Sequence, residues 1–247
     1  MAVAFDAASS GVDATEVTAK SWSHTCTGDD LMLIVGMAFR HASAAPTSIA
    51  VTYNGVSMTE ITTLNHLTYA TCSMFYLANP ATGANTIAAT WTNVNAFAGG
   101  GISFTGAGDT PGTEASTASS SGASTIDVSS ATDEMVVDAI AYAGSTTPTV
   151  GADQTTRVGL GVGDKPEVAM STEAGAATVT MSWTNTPDDV QAQIGVSIPE
   201  AASGTNFQVN VDDTFKTVSA ITLNKDDAWK SVAAAQVNVD DAWKTIF

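Results

Sequence analysis

Thr86-Ile87-Ala88-Ala89-Thr90-Trp91-Thr92-Asn93 returns later in the chain as Thr178-Val179-Thr180-Met181-Ser182-Trp183-Thr184-Asn185. In both copies apolar residues alternate with Thr, Ser or Ala, which is the period of a half-buried strand. Each copy is followed by a closing strand, Gly101-Ile102-Ser103-Phe104 and Gly195-Val196-Ser197-Ile198. Upstream, Asp30-Leu31-Met32-Leu33-Ile34-Val35 resembles Asp133-Glu134-Met135-Val136-Val137-Asp138. Three matched segments in one order predict an internal duplication, with halves at about 1–105 and 123–202.

Working outward, Leu31–Val35 reads as a buried strand, and Ile49–Tyr53 as another. Asn54-Gly55 makes a tight hairpin into Val56-Ser57-Met58-Thr59. Cys72–Leu77 is a strand ended by Asn79-Pro80, and the Gly/Ser/Thr-rich stretch from Thr105 to Gly122 reads as a loop. Many short strands with frequent turns and almost no helical periodicity predict an all-β chain. The expected form is a jelly-roll-like antiparallel β-sandwich over residues 1–202. Its two halves are expected to be β-meander-like and to pack face to face.

A second repeat occupies residues 203–247. Val209-Asn210-Val211-Asp212-Asp213-Thr214-Phe215-Lys216-Thr217-Val218 recurs from Leu223 and again from Val237, with a period of 14 set by Lys216, Lys230 and Lys244. Each unit reads as one β-hairpin. A three-residue loop, Asp212-Asp213-Thr214, pairs Val211 with Phe215 and gathers the apolar residues on one face; a two-residue loop puts Phe215 beside Asn210. Amphipathicity favours the three-residue loop. Because a lone hairpin is marginal in water, the aromatics need neighbours to cover them. Phe215, Trp229 and Trp243, with Lys216, Lys230 and Lys244, are therefore the candidate oligomerisation and anchoring residues. The aromatics read as core rather than as sugar-stacking platforms. The adjacent Asp pairs read as turn formers rather than calcium ligands, because neighbouring carboxylates at a hairpin tip point apart.

Charge narrows the function classes. Charged residues are only 13% of the chain, with 25 acids against 8 bases and a net charge of −17. Phosphate backbones and anionic lipid need Lys/Arg patches, so neither nucleic acid nor membrane is an expected partner. The imbalance is local: residues 203–247 hold six acids and four bases, leaving 19 acids and four bases before them. The start, Met1-Ala2-Val3-Ala4-Phe5-Asp6, lacks the basic and apolar regions of a signal peptide, so synthesis in a cytoplasm is expected. A bond between Cys26 and Cys72 is open to the sequence, but two small buried thiols fit better.

No enzyme signature emerges. There is no G-x-S-x-G elbow, P-loop or H-E-x-x-H. Gly99-Gly100-Gly101 precedes a strand and reads as a bend or a close backbone approach. Asp29-Asp30 and Asp188-Asp189 are paired carboxylates at loops, where solvated turn acids are the default over glycoside chemistry. His24 lies near Ser21 and Ser23, but no third partner is indicated. His24, His41 and His66 show no ligand spacing, so no metal and no cofactor is expected.

Four segments carry a family resemblance: Gly28–Gly36, Val51–Thr59, Phe75–Gly83 and Ile102–Gly106. They resemble a β-sandwich domain widespread in tailed-bacteriophage structural proteins. The terminal V-N-V-x-x-x-W-K-T-V units are similar to the W-K hairpin repeats that end many phage fibre and appendage proteins, which often have Gly-Gly where this chain has Asp-Asp. The resemblance implies a non-enzymatic virion structural protein, displayed on the particle surface as head decoration, head fibre or part of a tail fibre. It implies a homotrimer and contacts to other virion proteins, with the C-terminal repeats trimerising or anchoring. The alternative is a carbohydrate-binding adhesin recognising host surface glycan.

Overall fold

A computed structural model describes residues 2–13, 17–41, 45–67, 70–94, 96–143, 148–160, 167–185 and 190–202, and the backbone of six strands beyond them. The chain divides into two units, Met1–Ala201 and Ala202–Phe247.

The first unit is all-β and antiparallel. Its first half runs β1 (Ala4–Asp13), β2 (Ala19–Cys26), β3 (Met32–Arg40), β4 (Thr47–Tyr53), β5 (Val56–Ser57), β6 (Thr59–His66), β7 (Ala70–Ala78), β8 (Gly83–Thr92) and β9 (Ala96–Thr105). These form two sheets, β1-β9-β3-β7-β6 and β2-β8-β4-β5. That is the strand order of a jelly roll, with the chain passing between sheets at nearly every connection. At the turn between β4 and β5, Asn54 and Gly55 have φ of 50° and 78°, as a two-residue hairpin with a primed turn requires.

The second half repeats this order. It runs β10 (Glu114–Ser119), β11 (Ala123–Val128), β12 (Met135–Tyr142), β13 (Thr149–Val150), β14 (Thr155–Leu160), β15 (Glu167–Ala174), β16 (Val179–Thr184) and β17 (Gln191–Ile198). Its sheets are β10-β17-β12-β15-β14 and β11-β16-β13, the same order without a partner for β5. The duplication is thus a duplication of topology. Asp30 and Asp133, matched in the sequence echo, both sit at positive φ, 49° and 70°. Asp tolerates that region through its short side chain.

Two expectations need correction. The halves are not meanders that together make one sandwich. Each half is a complete two-layer sandwich, so the unit has four layers. The second half also begins earlier than residue 123: β10 lies inside the expected Thr105–Gly122 loop and pairs with β17 along its whole length. Its residues, Glu-Ala-Ser-Thr-Ala-Ser, alternate in exposure but carry no large apolar side chain, so the strand leaves no hydrophobic signature.

The two five-stranded sheets face one another. β3 crosses β12, β9 lies over β15, β7 over β17, β1 over β14 and β6 over β10. Exchanging the halves maps each pair onto another of the set or onto itself. The first unit is therefore a pseudo-twofold dimer fused in one chain. Its central layer gathers Met32, Ile34, Met74, Ile102 and Phe104 from one half with Val137, Met170, Ile194, Val196 and Ile198 from the other. Each such side chain contributes roughly 1.5–3 kcal/mol by leaving water. At the axis the sheets come unusually close. A Cβ on Gly36 would stand 2.8 Å from Ala139 Cβ and 2.9 Å from Met170 Cε, and one on Gly100 would stand 2.8 Å from Met170 Sδ. The Gly99-Gly100-Gly101 run thus marks a close approach within β9. Cys26 and Cys72 are free, buried thiols in different layers, Cys26 inside the first sandwich and Cys72 in the central layer.

The second unit contains three two-stranded sheets. They pair β18 (Phe207–Val211) with β19 (Thr214–Val218), β20 (Thr222–Lys225) with β21 (Ala228–Ser231), and β22 (Gln236–Val239) with β23 (Ala242–Thr245).

Candidate functional site

Two regions carry candidate chemistry: the C-terminal hairpins and the polar interiors of the two sandwiches. In the hairpins the register corrects the expected loop. Val211 pairs with Thr214, Asn210 with Phe215 and Val209 with Lys216. Asn224 pairs with Trp229 and Leu223 with Lys230; Asn238 pairs with Trp243 and Val237 with Lys244. Each hairpin therefore has the two-residue connection, not the three-residue one. Two-residue turns match the right-handed twist of a strand pair. A face pattern overrides the turn only where a sheet has a core to bury, and each of these sheets has two strands. Every candidate aromatic thus stands across from an Asn and every candidate Lys across from Val or Leu. The turn acids Asp212, Asp213, Asp226, Asp227, Asp240 and Asp241 lie outside the described residues, as does the Asp188-Asp189 pair.

In the first sandwich a hydrogen-bonded chain runs inward from the β1 edge. Ser9 Oγ lies 2.8 Å from His24 Nδ1, and His24 Nε2 lies 3.0 Å from Ser103 Oγ. Ser103 donates to Asp6 Oδ2 at 2.7 Å, and the Thr27 amide donates to the same oxygen at 2.9 Å. The Thr27 hydroxyl donates to the other carboxylate oxygen. Because Ser103 spends its proton on Asp6, its oxygen must accept from Nε2–H, which leaves Nδ1 to accept from Ser9. Burial pushes His24 down to about 4, against the attraction of Asp6, so the ring is neutral at neutral pH. Burial alone would raise Asp6, but the hydrogen bonds from Thr27 and Ser103 outweigh it and its carboxyl is lowered. Ser21 and Ser23, the serines near His24 in sequence, take no part in this chain. The true partners are 15 and 79 residues away, brought together by the sheet register.

The second sandwich centres on Asp138. Ser171 Oγ and its amide donate to Oδ1 at 2.5 and 3.1 Å. Trp183 Nε1 and Gln193 Nε2 donate to Oδ2 at 2.5 and 2.8 Å. Burial pushes Asp138 up to about 6, against the pull of these four donors. Around it, Gln154 Nε2 donates to Ser171 Oγ at 2.8 Å and Ser124 Oγ donates to Gln193 Oε1 at 2.7 Å. Tyr142 donates to Glu167. None of these residues was singled out from sequence as a site. The available signal was Asp138 itself, a carboxylate inside an apolar run whose echo in the first half is Val35.

Asp29 and Asp30 are exposed in the loop before β3, and their carbonyls accept from the amides of Gly106 and Ala107. That is the work of turn residues. Among the described residues no group of three His, Cys, Asp or Glu is placed to hold a metal ion. No known protein family, no curated protein and no solved structure matches this chain.

Proposed function

We propose that the chain is a non-enzymatic structural protein of a tailed phage or phage-like particle, displayed on the particle surface, with its C-terminal hairpins mediating trimerisation or anchoring. The observation that supports this most is the division of labour between the two units. The first buries its apolar residues in the three interiors between its four sheet layers, within one chain. The second consists of three hairpins, each a two-stranded sheet, repeating one aromatic-Lys pair. A two-stranded hairpin is marginal alone, so the repeats gain stability by associating with copies of themselves or with another virion protein. The charge split agrees: the acids are concentrated in the sandwich unit, and the hairpin unit is almost balanced.

Binding of the purified chain to particles lacking it tests the reading. The full chain is expected to bind, and a chain with Phe215, Trp229 and Trp243 all changed to Ala is expected to fail. Binding that survives those changes, or retention on host glycan in place of particles, would count against the proposal and for an adhesin.

A further inference from the structure

The two inner sheets end in four edge strands, β1 and β6 in the first half and β10 and β14 in the second. Three of them are bulged: β1 between Phe5 and Ala7, β6 between Glu60 and Thr62, and β14 between Thr156 and Val158. In β1 and β14 the residue left out of the pairing is charged. Asp6 accepts from Thr27 and Ser103, and the Arg157 guanidinium stands 3.9 Å over the Phe5 ring. Bulges and charges keep an open edge from pairing with another chain. β10 lacks both over most of its length. It pairs residue for residue with β17 from Glu114 to Ser119, and after Glu114 it reads Ala-Ser-Thr-Ala-Ser. The Ser197 amide donates to the Thr113 carbonyl at 3.0 Å, which sets the phase of the ladder. Ala115, Thr117 and Ser119 therefore turn their backbone groups to β17. Glu114, Ser116 and Ala118 turn theirs outward, where no strand lies among the described residues. β1 holds the matching place in the first half, so the fold accepts a bulge there and β10 goes without one.

We propose that the free edge of β10 receives an extended, basic segment of another protein as an added strand. The outward backbone groups of Glu114, Ser116 and Ala118 supply the pairing, as in other cases of strand addition. Charge sets the class of the incoming segment. No Lys or Arg occurs between Arg40 and Arg157. In the sheet order β10-β17-β12-β15-β14 the one base is Arg157, on the edge strand farthest from β10. Glu114 is exposed on β10 itself, and the strands packed beside it, β6 and β11, add the exposed Glu60 and Asp127. An open edge bordered by acids and by no base attracts a segment that carries Lys or Arg and disfavours an acidic one. A second copy of this chain, itself strongly acidic, is the poorer occupant. That the segment belongs to another particle component rests on the virion reading; the edge and its chemistry do not.

Titration of the full chain with a synthetic peptide of alternating Lys and Val, read by residue-resolved hydrogen exchange, tests the proposal. The peptide is expected to bind, more weakly as salt is added, and to protect the amides of Glu114, Ser116 and Ala118. A peptide of alternating Glu and Val is expected not to bind. Ser116→Pro removes only an outward N–H, which an edge strand tolerates, and should weaken binding on the order of tenfold. Failure of the Lys-Val peptide to bind would overturn the proposal, as would protection gained on β1, β6 or β14 in place of β10. Equal binding of the Glu-Val peptide, or undiminished binding by a folded Ser116→Pro chain, would overturn it too. If Ser116→Pro does not fold, the exchange map of the wild-type chain still decides. Neither peptide involves a particle, so this test and the particle-binding test of the virion reading can fail separately.

Discussion

The two sandwiches share one strand order and fill it differently: the first sets one polar chain, around His24, beside an aromatic slab, and the second centres on a buried carboxylate. Register equates Val35 with Asp138, Phe75 with Ser171, and Phe97 with Gln191. The first interior is an aromatic slab in which Trp91 stacks on Phe97 at 4.3 Å and Phe39 meets both rings. The second is a hydrogen-bonded network around a buried carboxylate. Even the matched tryptophans differ: Trp91 Nε1 donates to the Val17 carbonyl, and Trp183 Nε1 to Asp138. A jelly roll is thus specified by strand pairing, turn chemistry and the apolar central layer. The far side of each inner sheet is free to vary, provided that nearly all the polar groups buried there find a partner; Trp22 Nε1 and Asn185 Oδ1 are exceptions.

The largest effect in this contrast is expected from Asp138→Val, which copies the first half into the second. It strands the donors of Ser171, Trp183 and Gln193, and should cost about 3–5 kcal/mol in chemical denaturation. Val35→Ala, the matching truncation in the first sandwich, should cost roughly 1–3 kcal/mol. Equal losses would remove the distinction between the interiors.

Next comes the layer the sandwiches share. Gly36→Val forces a side chain against Ala139 and Met170 where the halves meet, and should cost about 1–3 kcal/mol through overpacking. At Gly55, with φ of 78° and nothing within 4 Å of a Cβ, Gly55→Val should instead cost through backbone strain alone.

Acid should separate the halves. His24 has a folded value of about 4 against an ordinary 6.5, so the unfolded chain binds more protons between these limits. Its contribution is intact above 6.5 and is lost as pH falls towards 4. Asp138 has a folded value of about 6 against 3.8, so here the folded chain binds more protons. Its contribution is present below 3.8 and is lost as pH rises through 6. Hydrogen exchange followed by region should therefore show β1 and β2 losing protection between pH 6.5 and 4, while β12 and β15 do not follow. His24→Leu should flatten the first profile. Parallel loss in both halves would contradict the assignment.

The smallest expected effect concerns the thiols. Burial raises both Cys26 and Cys72, Cys72 further because it is wholly enclosed in the central layer. Neither should react with a thiol reagent in the native chain, and both should react on unfolding. Rapid native labelling of either would contradict its burial.

How much of this was legible follows the same line. The echo around Trp91 and Trp183, the apolar runs of β3 and β12, and the Asn54-Gly55 turn are local patterns, and local patterns are what a sequence displays. β10 escaped because Ala, Ser and Thr alternate without apolar contrast. The four-layer build escaped because β3, β9, β12 and β17 are buried on both faces, and such a run does not say what covers it. The hairpin register follows the two-residue turn, whereas the amphipathic pattern that a sequence displays points to the longer loop. The His24 chain and the Asp138 network depend on contacts between residues up to 79 apart, which only the folded register supplies.

Assembly is proposed to reside in the hairpin unit, and sedimentation of the full 25.1 kDa chain beside residues 1–202 tests this most directly. The full chain is predicted to sediment as a trimer and the shortened chain as a folded monomer. A shortened chain that still sediments as a trimer, or a full chain that is monomeric across the concentration range, would contradict it.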